Sequence, residues 1–208
     1  MQNEIVFQSA IWRPLFALIL ASIVVMGSPG PSTISATAMG AAYGVRRSLG
    51  YVCGLILGTI AVLLTVSIGV VALVMSLPHA ARLLGGASAI YILYLAFKIA
   101  TAPPLDRRGG ELSGPAFLGG VLLAIANPKA YLAIAAVFAG STIVVEDQRL
   151  DALAKTVLLA AMIVVIHLVW LSAGAFLSRL LQDPLHSRLI NVSLAVLLVI
   201  MTFLSLRG

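Results

Sequence analysis

Long apolar segments without charge constrain this chain more than any other feature. The stretches Leu15–Tyr43 and Leu49–Met75 contain no Asp, Glu, Lys or Arg. Each is longer than the roughly 20 apolar residues that an α-helix needs to cross a bilayer. Only 10% of all residues are charged, whereas soluble domains carry about 25%. Too few charged residues are present to cover a water-facing surface, so we predict an integral membrane protein.

The alternation of apolar runs and polar turns predicts an all-α fold with six transmembrane helices. The chain is interpreted as a single transmembrane domain over 1–208, with its longest polar linker at about 101–114. The predicted spans cover about Pro14–Tyr43, Leu49–Met75, Leu83–Ala100, Pro115–Thr142, Ala152–Leu177 and Leu189–Leu206. Gly50, Gly54 and Gly58 share one face of the second span, which predicts close packing against another helix.

The charged residues lie mainly between the spans. The net charge of +6 does not indicate nucleic-acid binding, because Lys and Arg are scattered and form no continuous basic face. A small excess of Lys and Arg on one side places both termini outside the cytoplasm by the positive-inside rule. All seven acidic residues fall in predicted tails or loops, and Cys53 is the single cysteine. We therefore expect no metal site and no cofactor.

Proline motifs interrupt the first and fourth predicted spans. Pro29 and Pro31 flank Gly30 in the first, and Pro128 lies between Asn127 and Lys129 in the fourth. Proline lacks an amide hydrogen and clashes with the preceding helical turn. Backbone groups freed in this way are costly in hydrocarbon unless protein or a wet cavity satisfies them. The two breaks therefore predict a buried polar site.

The positions of the two breaks also predict an internal repeat. Repeat one covers about 14–100 and repeat two about 115–206, each with three spans. An odd number of spans inserts the second copy upside down, and such inverted repeats are common among transporters. We therefore expect both breaks to meet near the middle of the membrane, with transport by rocking one repeat against the other.

The predicted substrate site combines residues from both breaks. A helix that resumes at Pro31 directs its first amides at the site and favours an anion such as a carboxylate. Lys129 lies too deep to be tolerated without a partner or water, so it either handles substrate or protons or bonds the carbonyls of a broken helix. The predicted substrate-binding residues are Gly27, Ser28, Pro29, Gly30, Pro31, Ser32, Thr33, Asn127, Pro128 and Lys129.

Two side chains are candidates for proton coupling, namely Lys129 and His167. Histidine changes charge near physiological pH, although His167 could equally be a hydrogen-bonding residue between helices. No acidic residue is predicted at the same depth. A lysine or arginine substrate would therefore lack a partner for its second positive charge, which is costly in a low-dielectric site. The sequence favours neutral amino acids as substrates.

Several motifs resemble the lysine exporter (LysE/RhtB) family of bacterial amino-acid exporters. These are Ser28-Pro29-Gly30-Pro31, Asn127-Pro128-Lys129-Ala130, the turn Tyr43–Gly50 and the stretch Tyr91–Ala96. The resemblance runs in order along essentially the whole chain. It implies a bacterial inner-membrane exporter of amino acids or related metabolites, driven by the proton gradient. The chain departs from the family at Tyr131–Ala139, which lacks a common proline, and at His167, where an acidic residue often precedes the tryptophan.

Two other functional classes compete with transport. A membrane enzyme would need a catalytic set, and no Ser-His-Asp arrangement, carboxylate pair or metal cluster lies at membrane depth in the predicted topology. A structural or assembly subunit would not need a lysine at that depth. We expect a transporter rather than an enzyme, with a small amino acid, protons and the lipid bilayer as partners. The sequence leaves a homo-oligomer open.

Overall fold

The computed structural model describes residues 2–69, 86, 90, 92–97, 99–101, 116–180 and 184–207. These residues form helices and connecting turns and contain no strand, which confirms the all-α prediction. Residues 92–97 are helical. The longer elements are α1 (Gln2–Ala21), a π-helical turn (Ser22–Met26), α2 (Pro31–Ser67), α3 (Phe117–Ala126), α4 (Pro128–Ala139), α5 (Gln148–Leu180) and α6 (Pro184–Arg207).

Several of these helices have the length and composition of membrane spans. The helix Pro31–Ser67 and the stretch Gln148–Leu177 of α5 each qualify alone, and α3 with α4 qualifies as one bent span. Shorter apolar helices cover Trp12–Met26 and Arg188–Ile200. Large apolar side chains face outward, where lipid tails would surround them. The count of six spans stays a prediction, because parts of the second and third predicted spans and residues 102–114 of the linker lie outside the described residues.

Helix α2 contains a sharp bend at Gly44. This glycine has φ 72° and ψ 168°, a conformation that residues with a side chain rarely adopt. The bend divides α2 into a first arm, residues 31–43, and a second arm, residues 45–67. Across the bend, the Ser48 hydroxyl donates to the Met39 carbonyl oxygen at 2.8 Å. The predicted turn at Gly44–Ser48 is present, but it takes one residue instead of five because the second arm is helical from residue 45.

Glycines bring α2 into backbone contact with its neighbours. A Cβ atom at Gly54 would overlap the Phe117 carbonyl of α3, and one at Gly58 would lie 2.7 Å from the Ala124 Cβ. On the first arm, a Cβ at Gly40 would overlap the Leu171 carbonyl of α5. Close approach of this kind is how helices associate in lipid. The predicted packing face is confirmed for Gly54 and Gly58, whereas a Cβ at Gly50 would have no neighbouring atom within 4 Å among the described residues.

A buried ion pair fixes the connection between α4 and α5. Lys155 Nζ lies 2.7 Å from Asp151 Oδ2 and donates to the carbonyl oxygens of Phe138 and Ser141. Asp151 Oδ1 accepts from the Ile143 and Val144 amides. The assignment of Asp151 to a loop was therefore wrong, since it lies in the first turn of α5, which begins at Gln148. Pairing with Lys155 lets this carboxylate be buried.

Candidate functional site

The first break separates α1 from α2 by a widened turn and four non-helical residues. The π-helical turn ends with the Gly27 amide donating to the Ser22 carbonyl oxygen at 3.0 Å. The chain then leaves the helix over residues 27–30 and resumes with Pro31 at the first position of α2. The Gly30 amide donates to Thr33 Oγ1 at 2.9 Å. This hydroxyl accepts from one amide and lies within donating distance of the Ser28 and Gly30 carbonyls, but the Gly27 and Pro29 carbonyls have their partners on other helices.

The second break is a single residue, Asn127. Its backbone is extended, with φ −81° and ψ 102°, and α3 and α4 meet there at a bend of 63°. Asn127 Oδ1 accepts from the Lys129 amide at 3.1 Å and so caps α4, with Pro128 at the first helical position. Asn127 Nδ2 donates to Ser32 Oγ at 2.9 Å. The backbone of Asn127 therefore separates α3 from α4, and its side chain caps α4 and contacts Ser32 beside the first break.

Lys129 joins the second break to the first. Its ammonium group donates to the Ser28 carbonyl oxygen at 2.8 Å, to Ser28 Oγ at 2.8 Å and to the Pro29 carbonyl oxygen at 2.7 Å. An ammonium group has three donors and no acceptor, so all its hydrogen-bonding capacity is used here. Of the two roles left open by the sequence, this conformation has the one in which Lys129 bonds the carbonyls of the broken helix.

A cavity lies between the two breaks. It encloses about 430 Å³ of empty space, which includes the part that is open to the outside. No carboxylate is among its described lining residues. These are Met26, Ser28, Gly30, Ser32, Thr33, Thr59, Asn127, Lys129, Ala130, Ala133, Ile134, Ile163, Ile166 and His167. The cavity therefore combines polar groups from both breaks with apolar walls from α4 and α5.

The two sides of the cavity offer different hydrogen-bonding groups. Ser32 and Thr33 lie in the first turn of α2, where amides have no acceptor in a preceding turn, and Gly30 has no side chain to supply one. On α5, His167 is 4% exposed. Its Nδ1 lies 2.8 Å from the Ile163 carbonyl oxygen, and its Nε2 has no hydrogen-bond partner among the described residues. Donors thus lie on one side and an acceptor on the other.

Comparison with known proteins agrees with this arrangement. Residues 22–207 match the sequence model of the LysE type translocator family. The chain belongs to this family. The curated relatives of this LysE protein include the cysteine/O-acetylserine efflux proteins of Escherichia coli (strain K12) and Shigella sonnei (strain Ss046), each 33% identical over 92% of this chain and 93% of its own length. No solved structure matches the chain significantly. The predicted resemblance is confirmed, and these names describe transporters rather than enzymes.

The structure brings most of the predicted site residues of this LysE protein to the cavity. Those that line it are Ser28, Gly30, Ser32, Thr33, Asn127, Lys129 and His167. The other four act one step away from it. Pro31 and Pro128 start the two helices, the Pro29 carbonyl accepts from Lys129, and the Gly27 carbonyl accepts from Trp170 Nε1 at 3.0 Å.

Sequence reasoning missed part of the cavity wall. Thr59 is buried there, and its hydroxyl donates to the Leu55 carbonyl oxygen at 2.7 Å. A lone threonine in an apolar span was the available signal. The apolar lining residues Met26, Ala133, Ile134, Ile163 and Ile166 carry no such signal, because hydrophobic residues occur all around these helices. Only the relative placement of α4 and α5 selects the ones that face the LysE cavity.

Proposed function

We propose that this protein is a secondary-active exporter of amino acids or related small metabolites, with a preference for neutral amino acids and with the proton gradient as driving force. One observation carries the proposal: residues from both helix breaks line the same cavity. Membership of the LysE type translocator family supports it. The relatives are named for efflux of cysteine and O-acetylserine, which both carry an ammonium and a carboxylate group and no net charge.

The proposed setting is the bacterial inner membrane. Six spans form a single transporter domain over 1–208 as two inverted repeats, about 14–100 and about 115–206, joined by the linker at about 101–114. The two helix interruptions, at residues 27–30 and at Asn127, support this arrangement because they occur in the first and fourth predicted spans. Inverted repeats place substrate sites near the membrane midplane, at the ends of such interrupted helices.

The first turn of α2 is the proposed site for the substrate carboxylate. The amides of Ser32 and Thr33 point out of a helix N-terminus, which attracts anions. Lys129 adds positive charge nearby while its own donors remain on Ser28 and Pro29. In this proposal Lys129 shapes the site and sets its charge, whereas backbone amides hold the carboxylate.

The charge of the cavity is the basis for the proposed preference for neutral side chains. A lysine or arginine substrate would bring a second positive charge close to Lys129. None of the described lining residues is acidic, so that charge would lose its hydration without gaining a partner, at a cost of several kcal/mol. Small or apolar side chains instead meet the apolar walls formed by Ala133, Ile134, Ile163 and Ile166.

Counterflow in proteoliposomes tests the transport activity. Vesicles loaded with one unlabelled amino acid should transiently accumulate the labelled form, and the panel comprises cysteine, O-acetylserine, leucine, threonine, homoserine, lysine and arginine. We expect counterflow with neutral members and little with lysine or arginine. The absence of counterflow with every member would contradict export of amino acids. Stronger competition by lysine or arginine than by neutral members would contradict only the preference.

Proton coupling needs a separate measurement. With labelled substrate inside and none outside, a pH gradient should accelerate efflux when protons can move down it into the vesicle. A protonophore should remove the acceleration. An efflux rate that is the same with and without the gradient would contradict the proton-driven mechanism while leaving counterflow intact.

A further inference from the structure

One polar atom of a cavity-lining residue, Nε2 of His167, takes part in none of the contacts described so far. His167 Nε2 is buried and has no hydrogen-bond partner among the described residues, although the ring forms part of the cavity wall. A buried polar atom without a partner costs about 1–3 kcal/mol. The His167 ring lines the cavity, so a donor group that enters the cavity beside the ring would complete its hydrogen bonding.

The other ring nitrogen fixes what this atom can do. Nδ1 lies 2.8 Å from the Ile163 carbonyl oxygen, and a carbonyl can only accept a hydrogen bond. The proton of the neutral ring therefore resides on Nδ1. Nε2 then carries a lone pair and is an acceptor. The group that completes it must be a donor.

The ammonium group of an amino acid is the donor that fits best. The carboxylate of the same molecule is assigned to the amides of Ser32 and Thr33, on the other side of the cavity. No described lining residue is a carboxylate that could take the ammonium group. The hydroxyls of Thr59, Ser28 and Thr33 donate to backbone carbonyls and keep acceptor lone pairs, but a neutral imidazole nitrogen is a stronger base, and His167 Nε2 has no hydrogen-bond partner among the described residues. His167 is the nitrogen acceptor that remains.

We propose that Nε2 of His167 accepts a hydrogen bond from the ammonium group of the transported amino acid, and that a proton competes with this group for the same lone pair. The proposal rests on the proposed amino-acid export and assigns the substrate class more narrowly, to compounds with a free amino group. It makes His167 a specificity-determining residue that contacts substrate.

Competition at one lone pair has a direct consequence for coupling. A proton taken up on Nε2 turns the acceptor into a donor and gives the ring a positive charge, which repels an ammonium group. The cavity can therefore hold the proton or the substrate at this atom, but not both. Lys129 on α4 is the titratable group that shares the cavity with His167 in the described part of the chain; the π-helical turn, α2 and the rest of α5 contribute none. Because the proton and the substrate exclude each other at this atom, the protein can carry the substrate in one direction and the proton in the other.

The first test removes the amino group from the ligand and the acceptor from the protein. L-Cysteine and 3-mercaptopropionate, which lacks the ammonium group, compete for cysteine counterflow by the full-length protein with thiols kept reduced. For wild type we expect 3-mercaptopropionate to compete at least about tenfold more weakly, the effect of one hydrogen bond to a charged group. In His167→Phe this ratio should fall toward one, because only cysteine loses a contact.

The ratio separates a contact from a structural defect. A damaged cavity would weaken the binding of both ligands by the same factor and leave the ratio of their competition unchanged. An unchanged ratio in His167→Phe therefore overturns the proposal. Counterflow by the wild-type protein would still support the proposed function in that case. Val169→Ala, on the outer face of the same helix, is the matched control and should keep the wild-type ratio. A wild-type protein that competes equally with both ligands also overturns the proposal.

The second test examines the proton without relying on the phenylalanine variant. His167→Gln keeps an amide oxygen in reach of the ligand but cannot be protonated near neutral pH. With equal pH on both sides of the vesicle, cysteine should compete more weakly with wild type as pH falls from about 7 to about 5, the range in which histidine titrates. The glutamine variant should keep its discrimination between the two ligands and lose most of this pH dependence. Equal pH dependence in both proteins overturns the competition.

Discussion

The two helix breaks differ in where the hydrogen-bond partners of their backbone groups come from. The break at Asn127 is satisfied largely from within, because its own side chain caps α4 and only one residue leaves the helix. The break at residues 27–30 is longer and draws on distant residues. Lys129, about 100 positions away, bonds the Ser28 and Pro29 carbonyls, and Trp170 bonds the Gly27 carbonyl.

This difference shows that similar sequence motifs can have unequal structural demands. Both motifs place a proline at the first position of the resumed helix. In the first break, the Thr33 hydroxyl reaches the Ser28 and Gly30 carbonyls, but the Gly27 and Pro29 carbonyls are bonded from other helices, and an unpaired carbonyl would be costly in hydrocarbon. The second break supplies Lys129 to the Ser28 and Pro29 carbonyls and Asn127 to the Ser32 hydroxyl. The first break therefore depends on the second. Substitutions that remove more of the contacts between the two breaks should reduce stability and transport more.

Removal of the Lys129 ammonium group should have the largest effect. Lys129→Ala leaves the exposed Pro29 carbonyl without its donor and takes one from the half-buried Ser28, and a hydrogen bond to a charged group contributes about 1.5–3 kcal/mol. We expect counterflow to be abolished and the melting temperature in detergent to fall by several degrees. Lys129→Arg keeps the charge, but its planar donors do not fit the same three acceptors, so it should restore little activity. Wild-type counterflow by Lys129→Ala would show that the first break is self-sufficient.

Crowding of the Lys129 side chain should come next. A Cβ atom at Gly30 would lie 2.6 Å from Cδ and 2.8 Å from Nζ of Lys129, so Gly30→Ala must displace the ammonium group. We expect at least about a tenfold loss of counterflow, since one or more charged hydrogen bonds are lost. Gly50→Ala is the matched control, because a Cβ added there would have no neighbouring atom within 4 Å among the described residues. A loss of the same size in both variants would show that an added methyl group, and not the clash with Lys129, causes the effect.

Loss of the cap at the second break should have an intermediate effect. Asn127→Ala removes the bond to the Lys129 amide and the bond to Ser32 Oγ. Substitution of an N-cap typically costs about 0.5–2 kcal/mol. Asn127→Asp retains the cap acceptor and lacks the donor to Ser32. If the cap contributes more than the bond to Ser32, the melting temperature of Asn127→Asp should lie closer to that of wild type than the melting temperature of Asn127→Ala does. A lower melting temperature for Asn127→Asp than for Asn127→Ala would mean that the bond to Ser32 contributes more.

The smallest effect is expected at Trp170. Trp170→Phe keeps an aromatic ring and removes the indole N–H that donates to the Gly27 carbonyl oxygen. One such hydrogen bond contributes about 1 kcal/mol, so the melting temperature should fall by a few degrees with counterflow largely retained. A fall in melting temperature as large as that of Lys129→Ala would mean that Trp170 on α5 stabilises the first break as much as Lys129 on α4 does.

The sequence was most informative where a residue type has unusual backbone preferences. Pro31 and Pro128 restrict the backbone strongly, Gly44 tolerates the positive φ of the bend, and the interruptions and the bend lie where these residues predict them. The partners of long side chains were less predictable. Lys129 could have faced a ligand or a carbonyl, and the choice depends on the distance between two helices rather than on its neighbours in sequence.

The misassignment of Asp151 has a similar origin. A carboxylate four residues before a lysine is often a solvent-exposed helix pair, and nothing in the local sequence distinguishes that case from a buried one. Burial here follows from the turn between α4 and α5, whose amides at Ile143 and Val144 also donate to the carboxylate. Such an arrangement becomes visible only when both helix ends are placed.

The glycine contacts of α2 limit how the protein can move. At Gly40 and Gly54 the backbone of α2 lies directly against the backbones of α5 and α3, with no flexible side chain between them to absorb a displacement. Sliding along these seams would drive carbonyl oxygens into neighbouring Cα atoms. We therefore expect α2 of repeat one and α3 and α5 of repeat two to travel as one block during a transport cycle, instead of one whole repeat rocking against the other. The opening and closing motion would then occur at the joints beside this block, of which Asn127 and residues 27–30 are the nearest.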